Sequence, residues 1–275
     1  SGNSYIRGNY ELGGFLDEKE AGQMPLPEGI YTIAKMLKSV GYKTGIVGKW
    51  GLGMANTTGD PLKQGFDYAY GYLDQKQAHN FYPTHLWENG KWDTLENDYR
   101  FVHEQFDPEN FKNEDFEKFK GKVYAPEKMT SKALKFIEEN SNSPFFLYLP
   151  YTIPHVSLQA PDSYIKKYIG KFPGEKPYFG QNGYVPSQYP LSTYAAMITY
   201  LDDQVGIILN KLEELGLADN TIVMFSSDNG ATFNGGVQPD YFKSVGQLRG
   251  LKMDVYEGGI RVPFIAKWPN KFPKN

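Results

Sequence analysis

The stretch GYKTGIVGKWGLG, residues 41–53, decides the fold. Its middle, Lys43 to Gly48, is a short apolar run set among glycines and reads as a buried β-strand. Just before it, Ile30, Ile33, Ala34, Leu37 and Val40 recur at helical spacing, and Gly41 suits the left-handed position that ends a helix. A helix leading into a buried strand is half of a βα repeat, the unit of parallel sheets. Lys49, placed directly after the run, is either a solvated loop charge or the cationic floor of an anion site beyond the strand's carboxyl end.

The pattern recurs further along the chain. PEKMTSKALKFIEEN (126–140) places Met129, Ala133, Phe136 and Ile137 on one helical face and leads to PFFLYLP (144–150), apolar on both faces as central parallel strands are. TYAAMITYLDDQVGIILNKLEELG (193–216) aligns Met197, Leu201, Val205, Ile208, Leu212 and Leu215, and leads to NTIVMFSSDNG (220–230). A fourth strand, VPFIAKWP (262–269), closes the series. The alternation predicts an α/β domain over residues 1–275, with a mostly parallel central sheet and helices on both faces. Residues 74–125 and 158–192 break it. They are rich in Tyr, Phe, Trp, Pro, Asn and Gly, and long irregular segments of this kind are commonly binding or active-site loops, although their aromatics also serve as packing.

Composition narrows the classes of partner. The chain carries 29 basic and 32 acidic residues, a net charge of −3, and no basic block that would follow a nucleic-acid backbone. No apolar run approaches the ~20 residues that span a bilayer. Cysteine is absent, which excludes disulfides and thiolate metal sites.

In open parallel sheets ligands bind beyond the carboxyl ends of the strands, so the residues that follow each strand matter most. They are Lys49, His155 in YTIPHVS, and Asp228-Asn229-Gly230; Lys252 precedes the fourth strand. On one face of one sheet, a carboxylate and an amide offer oxygens to a hard cation such as calcium or magnesium, while two lysines and a histidine offer donors to an oxyanion. Asp-Asn-Gly is also a common turn, and each of the other groups has a structural use; it is their joint placement that points to hydrolysis of an anionic ester.

Taken together, these segments resemble the sulfatase family. GYKTGIVGKW is similar to its second signature, PFFLYLPYTIPH to its histidine strand, TIVMFSSDNG to its metal-ligand strand, and LRGLKMDVYEGGIRVPFIAKWP to its lysine segment, in family order over roughly residues 20–270. The resemblance implies an alkaline-phosphatase-like fold, one calcium ion, and hydrolysis of sulfate esters through a formylglycine made from Cys or Ser. It implies that Lys49 contacts the sulfate, that His155 acts near the leaving oxygen, that Lys252 binds a sulfate oxygen, and that Asp228 and Asn229 are calcium ligands. Export or a lysosomal address follows from the same likeness.

Two departures stand out. Gly51 occupies the place where the family has a histidine, and His79 in KQAHN and His85 in YPTHLW are candidates to line the substrate site instead. The family's Cys/Ser-x-Pro-x-Arg segment is absent; SYIRG, with Ser4 and Arg7, has the wrong spacing and no proline. The chain therefore reads as a sulfatase fragment lacking the nucleophile segment and the smaller C-terminal subdomain, with part of the calcium site elsewhere. The alternatives are a metal-dependent phosphodiesterase or phosphatase of the same superfamily, or a carbohydrate-binding protein without catalysis.

Overall fold

The computed structural model describes residues 25–269, 271 and 272, so Ser4 and Arg7 lie outside the described residues. The chain divides into two compact units, one formed by residues 1–100 with 120–153 and the other by 101–119 with 154–275.

In the first unit, helix α1 (Ile33–Ser39) starts at Thr32, whose hydroxyl accepts a bond from the Lys35 backbone N–H at 3.1 Å. That bond satisfies one of the donors a helix start leaves open. The helix ends just ahead of Gly41 at φ +91°, as the glycine foretells. Its buried face is narrower than the spacing suggests: Ala34 is fully buried, while Ile33 and Val40 are 59% and 68% exposed.

Five strands follow the order β4-β3-β2-β1-β5, where β1 is Lys43–Lys49, β2 Tyr68–Tyr72, β3 His85–Glu88, β4 Lys91–Thr94 and β5 Phe145–Tyr148. Strand β1 pairs in parallel with both β2 and β5, and β3 and β4 extend the sheet antiparallel. Successive residues of a strand point to opposite faces. Gly45 abuts the Phe136 ring of helix α2 (Ala125–Glu139), where a Cβ would stand 2.7 Å from that ring. Its neighbour Ile46 packs with Ala34 of α1, Phe66 and Ala69. Helices thus cover both faces, and α2 buries Met129, Ala133, Phe136 and Ile137 as its spacing requires. Strand β5, read as central, stands at the edge of the described sheet with its residues only partly covered.

Segment 74–125 is more regular than its composition suggests. Strands β3 and β4 form a hairpin through Asn89-Gly90, at φ +50° and +78°, the left-handed pair that matches the twist of two-residue hairpins. Polar pairs tie it down: the Tyr68 hydroxyl donates to Glu88 at 2.8 Å, Lys132 donates to the other Glu88 oxygen at 2.6 Å, and the Tyr70 hydroxyl donates to Asp93 at 2.7 Å.

The second unit contains α3 (Asp162–Ile165), α4 (Pro190–Glu214), β6 (Val223–Ser226), α5 (Pro239–Phe242), α6 (Glu257–Ile260) and β7 (Phe264–Lys267). The 25-residue α4 begins without a cap of its own. Glu175 supplies one, accepting from the Ser192 backbone N–H at 2.8 Å and from its hydroxyl at 2.7 Å. A carboxylate there also faces the positive end of the helix dipole. The buried face of α4 is centred on Leu191, Tyr194, Met197 and Tyr200, and of the expected stripe Leu215 is exposed.

Strands β6 and β7, expected to continue the parallel series, instead pair antiparallel with each other in a separate two-stranded sheet. Ser226 lies opposite Phe264, so the chain leaves β6 and re-enters β7 at the same end, which a parallel crossover cannot do. Part of the aromatic excess is packing: Val102, Phe106, Phe116, Phe119 and Val185 form a buried cluster, with Phe111 and Phe179 edge to face at 4.7 Å beside it. Among the described residues no helix is long and apolar enough to cross a membrane.

Candidate active site

Lys49 closes β1 in the first unit, its backbone N–H donating to the Pro150 carbonyl at 2.9 Å. The glycines around it have a steric cause. A Cβ on Gly48 would lie 2.1 Å from the Pro150 oxygen, and one on Gly71 would lie 2.0 Å from the Gly48 oxygen. Three backbones converge at this strand end, and side chains at those two positions are excluded. Lys49 is thereby held on a rigid floor, half-buried.

Gly51, at φ +69°, is filled from elsewhere. A Cβ there would stand 2.5 Å from the Gln75 side chain, whose amide nitrogen is 3.3 Å from the Gly51 carbonyl. Gln75 occupies the space into which a side chain at position 51 would project, a substitution that the lone glycine could not announce.

The two candidate histidines differ. His79 is buried in the one-turn helix Gln77–His79 that follows β2. His85 sits inside the hairpin, stacked on Trp92 with ring centroids 4.0 Å apart. Its Nδ1 is 3.0 Å from the Thr84 hydroxyl and its Nε2 is 3.3 Å from the Gln77 amide. With both nitrogens engaged by protein and only 8% of its surface exposed, His85 is a packing histidine, and the substrate role expected of it finds no support in this geometry.

In the second unit, the Asp228-Asn229-Gly230 turn after β6 rests on α6. Gly230 N–H donates to the Gly259 carbonyl at 2.9 Å, and a Cβ on Gly230 would lie 1.9 Å from the Gly258 oxygen. Lys252 joins the turn through its backbone, donating to the Ala231 carbonyl at 2.8 Å. Burial pulls the Lys252 ammonium below the ordinary lysine value, and attraction to Asp228 works against that shift.

Asp228, Asn229 and Lys252 therefore belong to one local cluster. Asn229 donates its amide N–H to the Asp228 carboxylate, while its own Oδ1 is buried with no hydrogen-bond partner. A buried acceptor left open beside a carboxylate fits a hard cation, which would take both oxygens. Two such oxygens fall short of the six to eight that calcium prefers, and among the described residues no group of three or more His, Cys, Asp or Glu gathers.

His155 lies in the same unit. Its Nδ1 contacts the Val156 carbonyl, and its ring meets Tyr184 edge to face, with centroids 6.0 Å apart at 72°. Tyr184, and Asn234 near its phenol, were not legible from the sequence as neighbours of His155. The signal was faint: Gly183-Tyr184 reads as an ordinary turn.

A family model described as Sulfatase matches residues 7–275. An N-acetylgalactosamine-6-O-sulfatase of Bacteroides thetaiotaomicron is 30% identical over 289 residues, taking in 89% of this chain and 52% of that protein. The human N-acetylgalactosamine-6-sulfatase is 30% identical over 253 residues, covering 89% and 40%. A crystal structure described as Ps i-CgsB in complex with k-i-k-neocarrahexaose superposes with a TM-score of 0.65 at 26% identity, covering 92% of this chain and 52% of that one. The chain spans about half the length of the curated relatives it matches.

Proposed function

This chain belongs to the sulfatase family, with its alkaline-phosphatase-like α/β fold, and from that premise we propose that the protein hydrolyses sulfate esters carried on glycans. The observation that carries the reading is the orphaned Asn229 Oδ1 beside Asp228, with the half-buried Lys252 in the same cluster. Sulfatases generally use a metal ion. In this proposal Asp228 and Asn229 are two of the ligands of a calcium ion, which when bound would neutralise charge on the sulfate as it transfers.

The chain's own residues supply the remaining electrostatics. Lys252, in the cluster with Asp228 and Asn229, donates to a sulfate oxygen, and the family likeness assigns Lys49 the same kind of contact; the backbone of each is fixed, Lys49 to Pro150 and Lys252 to Ala231. His155 contacts the Val156 carbonyl through Nδ1, which leaves Nε2, when the ring is protonated, as the nitrogen that gives a proton to the leaving alkoxide oxygen as its bond to sulfur breaks. The aromatic segments 74–125 and 158–192 line the sugar side, whereas His79, at 7% exposed, is as buried as His85. Glycans are favoured as the carrier because the relatives are named for an amino-sugar 6-sulfate and a neighbouring structure holds a neocarrahexaose.

The test is release of inorganic sulfate by the full-length protein from sulfated saccharides, with phosphodiesters as controls, before and after chelation and calcium restoration. Calcium-restored sulfate release is the expected result. Turnover of phosphodiesters alone, or glycan binding without turnover, would replace it.

A further inference from the structure

Tyr184 holds a backbone conformation that bulky residues avoid, at φ +68°. It sits in a ten-residue loop whose ends are pinned by two backbone bonds of 2.8 Å between Tyr178 and Ser187. Within the loop the Tyr178 hydroxyl accepts from Asn182 N–H at 3.0 Å, and Val185 N–H donates to the buried Ser157 hydroxyl at 3.3 Å. Gly183, the preceding residue, shares the left-handed conformation at φ +76° without strain. A second glycine would serve the backbone equally well at position 184, so the ring must return something for the conformational cost.

The ring is a wedge between two histidines. His103 lies on one side with centroids 5.3 Å apart and accepts from the Tyr184 backbone N–H at 3.4 Å; His155 lies edge to face at 6.0 Å. Gly235 leaves room for the ring, since a Cβ there would come within 3.3 Å of it and 2.7 Å of Val156. The Asn234 side chain lies near the phenol at its far end. The imidazole of His155 is thus bounded by Tyr184 on one side while its Nδ1 reaches the Val156 carbonyl.

We propose that Tyr184 is a positioning residue: its ring fixes the His155 imidazole in the rotamer that gives the Nδ1 proton to the Val156 carbonyl, so that Nε2 is the nitrogen available for proton transfer. The inference rests on His155 having the role assigned above, but its test reads the imidazole directly. A neutral imidazole carries one proton, and the hydrogen bond made by one nitrogen decides the state of the other. A ring free to turn would sample both arrangements.

The 275-residue chain has only four histidines, so the ring nitrogens can be resolved by long-range ¹H–¹⁵N spectroscopy, with His155→Gln assigning the signal. Above the histidine titration, the wild type is expected to show His155 with Nδ1 protonated and Nε2 bare. Tyr184→Phe keeps that pattern because it keeps the ring. Tyr184→Gly relieves the backbone and preserves the fold, and its His155 shifts move to the average of two exchanging tautomers. A Tyr184→Gly chain that retains the pure Nδ1–H form overturns the proposal. Failure of the sulfatase reading would show separately, as absence of sulfate release with the tautomer shift intact.

Discussion

Gly48 and Pro150 touch backbone to backbone: the place of a Cβ on Gly48 lies 2.1 Å from the Pro150 carbonyl oxygen, and Gly48 itself is at φ +144°. Gly48→Ala must therefore separate β1 from the segment after β5 or strain both. Backbone strain of this kind costs about 1–3 kcal/mol before the steric overlap is counted. Denaturant unfolding is expected to show a lower midpoint for Gly48→Ala; an unshifted midpoint would mean the contact relaxes without cost.

Gly51 and Gln75 make a coupled pair. Gly51→His, which restores the side chain typical of the family, should destabilise the chain because Gln75 fills that space. Adding Gln75→Ala should recover part of the loss, with a coupling of about 0.5–3 kcal/mol in a double-mutant cycle. Additive effects would separate the two residues.

Lys252→Ala in the intact enzyme should lower kcat/KM by about 10²–10³, the usual loss when one preorganised donor to a developing anion is removed. Its melting temperature should change little, since the half-buried Lys252 trades the cost of partial burial against its attraction to Asp228. Unchanged kinetics would remove Lys252 from the proposed site.

Asn229 tests the cation. The isolated chain should bind calcium weakly, because Asp228 and Asn229 alone offer too few oxygens. Any calcium-dependent rise in melting temperature should vanish in Asn229→Ala, while metal-free stability should change little, because the substitution deletes an unpaired buried acceptor together with one amide bond to Asp228. A tight stoichiometric site in a calorimetric titration would contradict this.

Asp67 sets a pH dependence. Burial works to raise its carboxyl, but bonds from Lys38 and from Thr44 outweigh burial and hold it below the ordinary aspartate value of 3.8. The folded state therefore resists protonation more than the unfolded chain does. The stabilisation is complete above 3.8 and is lost as pH falls through the depressed folded value. Asp67→Asn should be less stable than wild type by about 1 kcal/mol at neutral pH, and urea midpoints should converge as the solution is acidified.

The parts of the fold that the chain spelled out were those governed by one local rule. The α2 face and β1 followed from period and glycine placement. The β3–β4 hairpin did not stand out, although Asn89-Gly90 is a strong turn signal, because aromatic residues on both strands hide the alternation. The antiparallel pairing of β6 with β7 is a long-range outcome that no local pattern encodes. Of the candidate residues, Lys49 in the first unit and Asp228, Asn229 and Lys252 in the second were legible as polar residues next to strands. Gln75 and Tyr184 were not, since each acts by occupying space beside another residue.

The register of β1 also governs how the sheet is made during synthesis. Lys43 pairs with Phe145, about 100 residues later, whereas β2 lies close by. At roughly 5–20 residues per second, β1 emerges from the ribosome about 5–20 s before its second neighbour exists. For that interval one edge of the nascent sheet stands open, so slow translation between Thr94 and Phe145 lengthens the period in which a chaperone is useful.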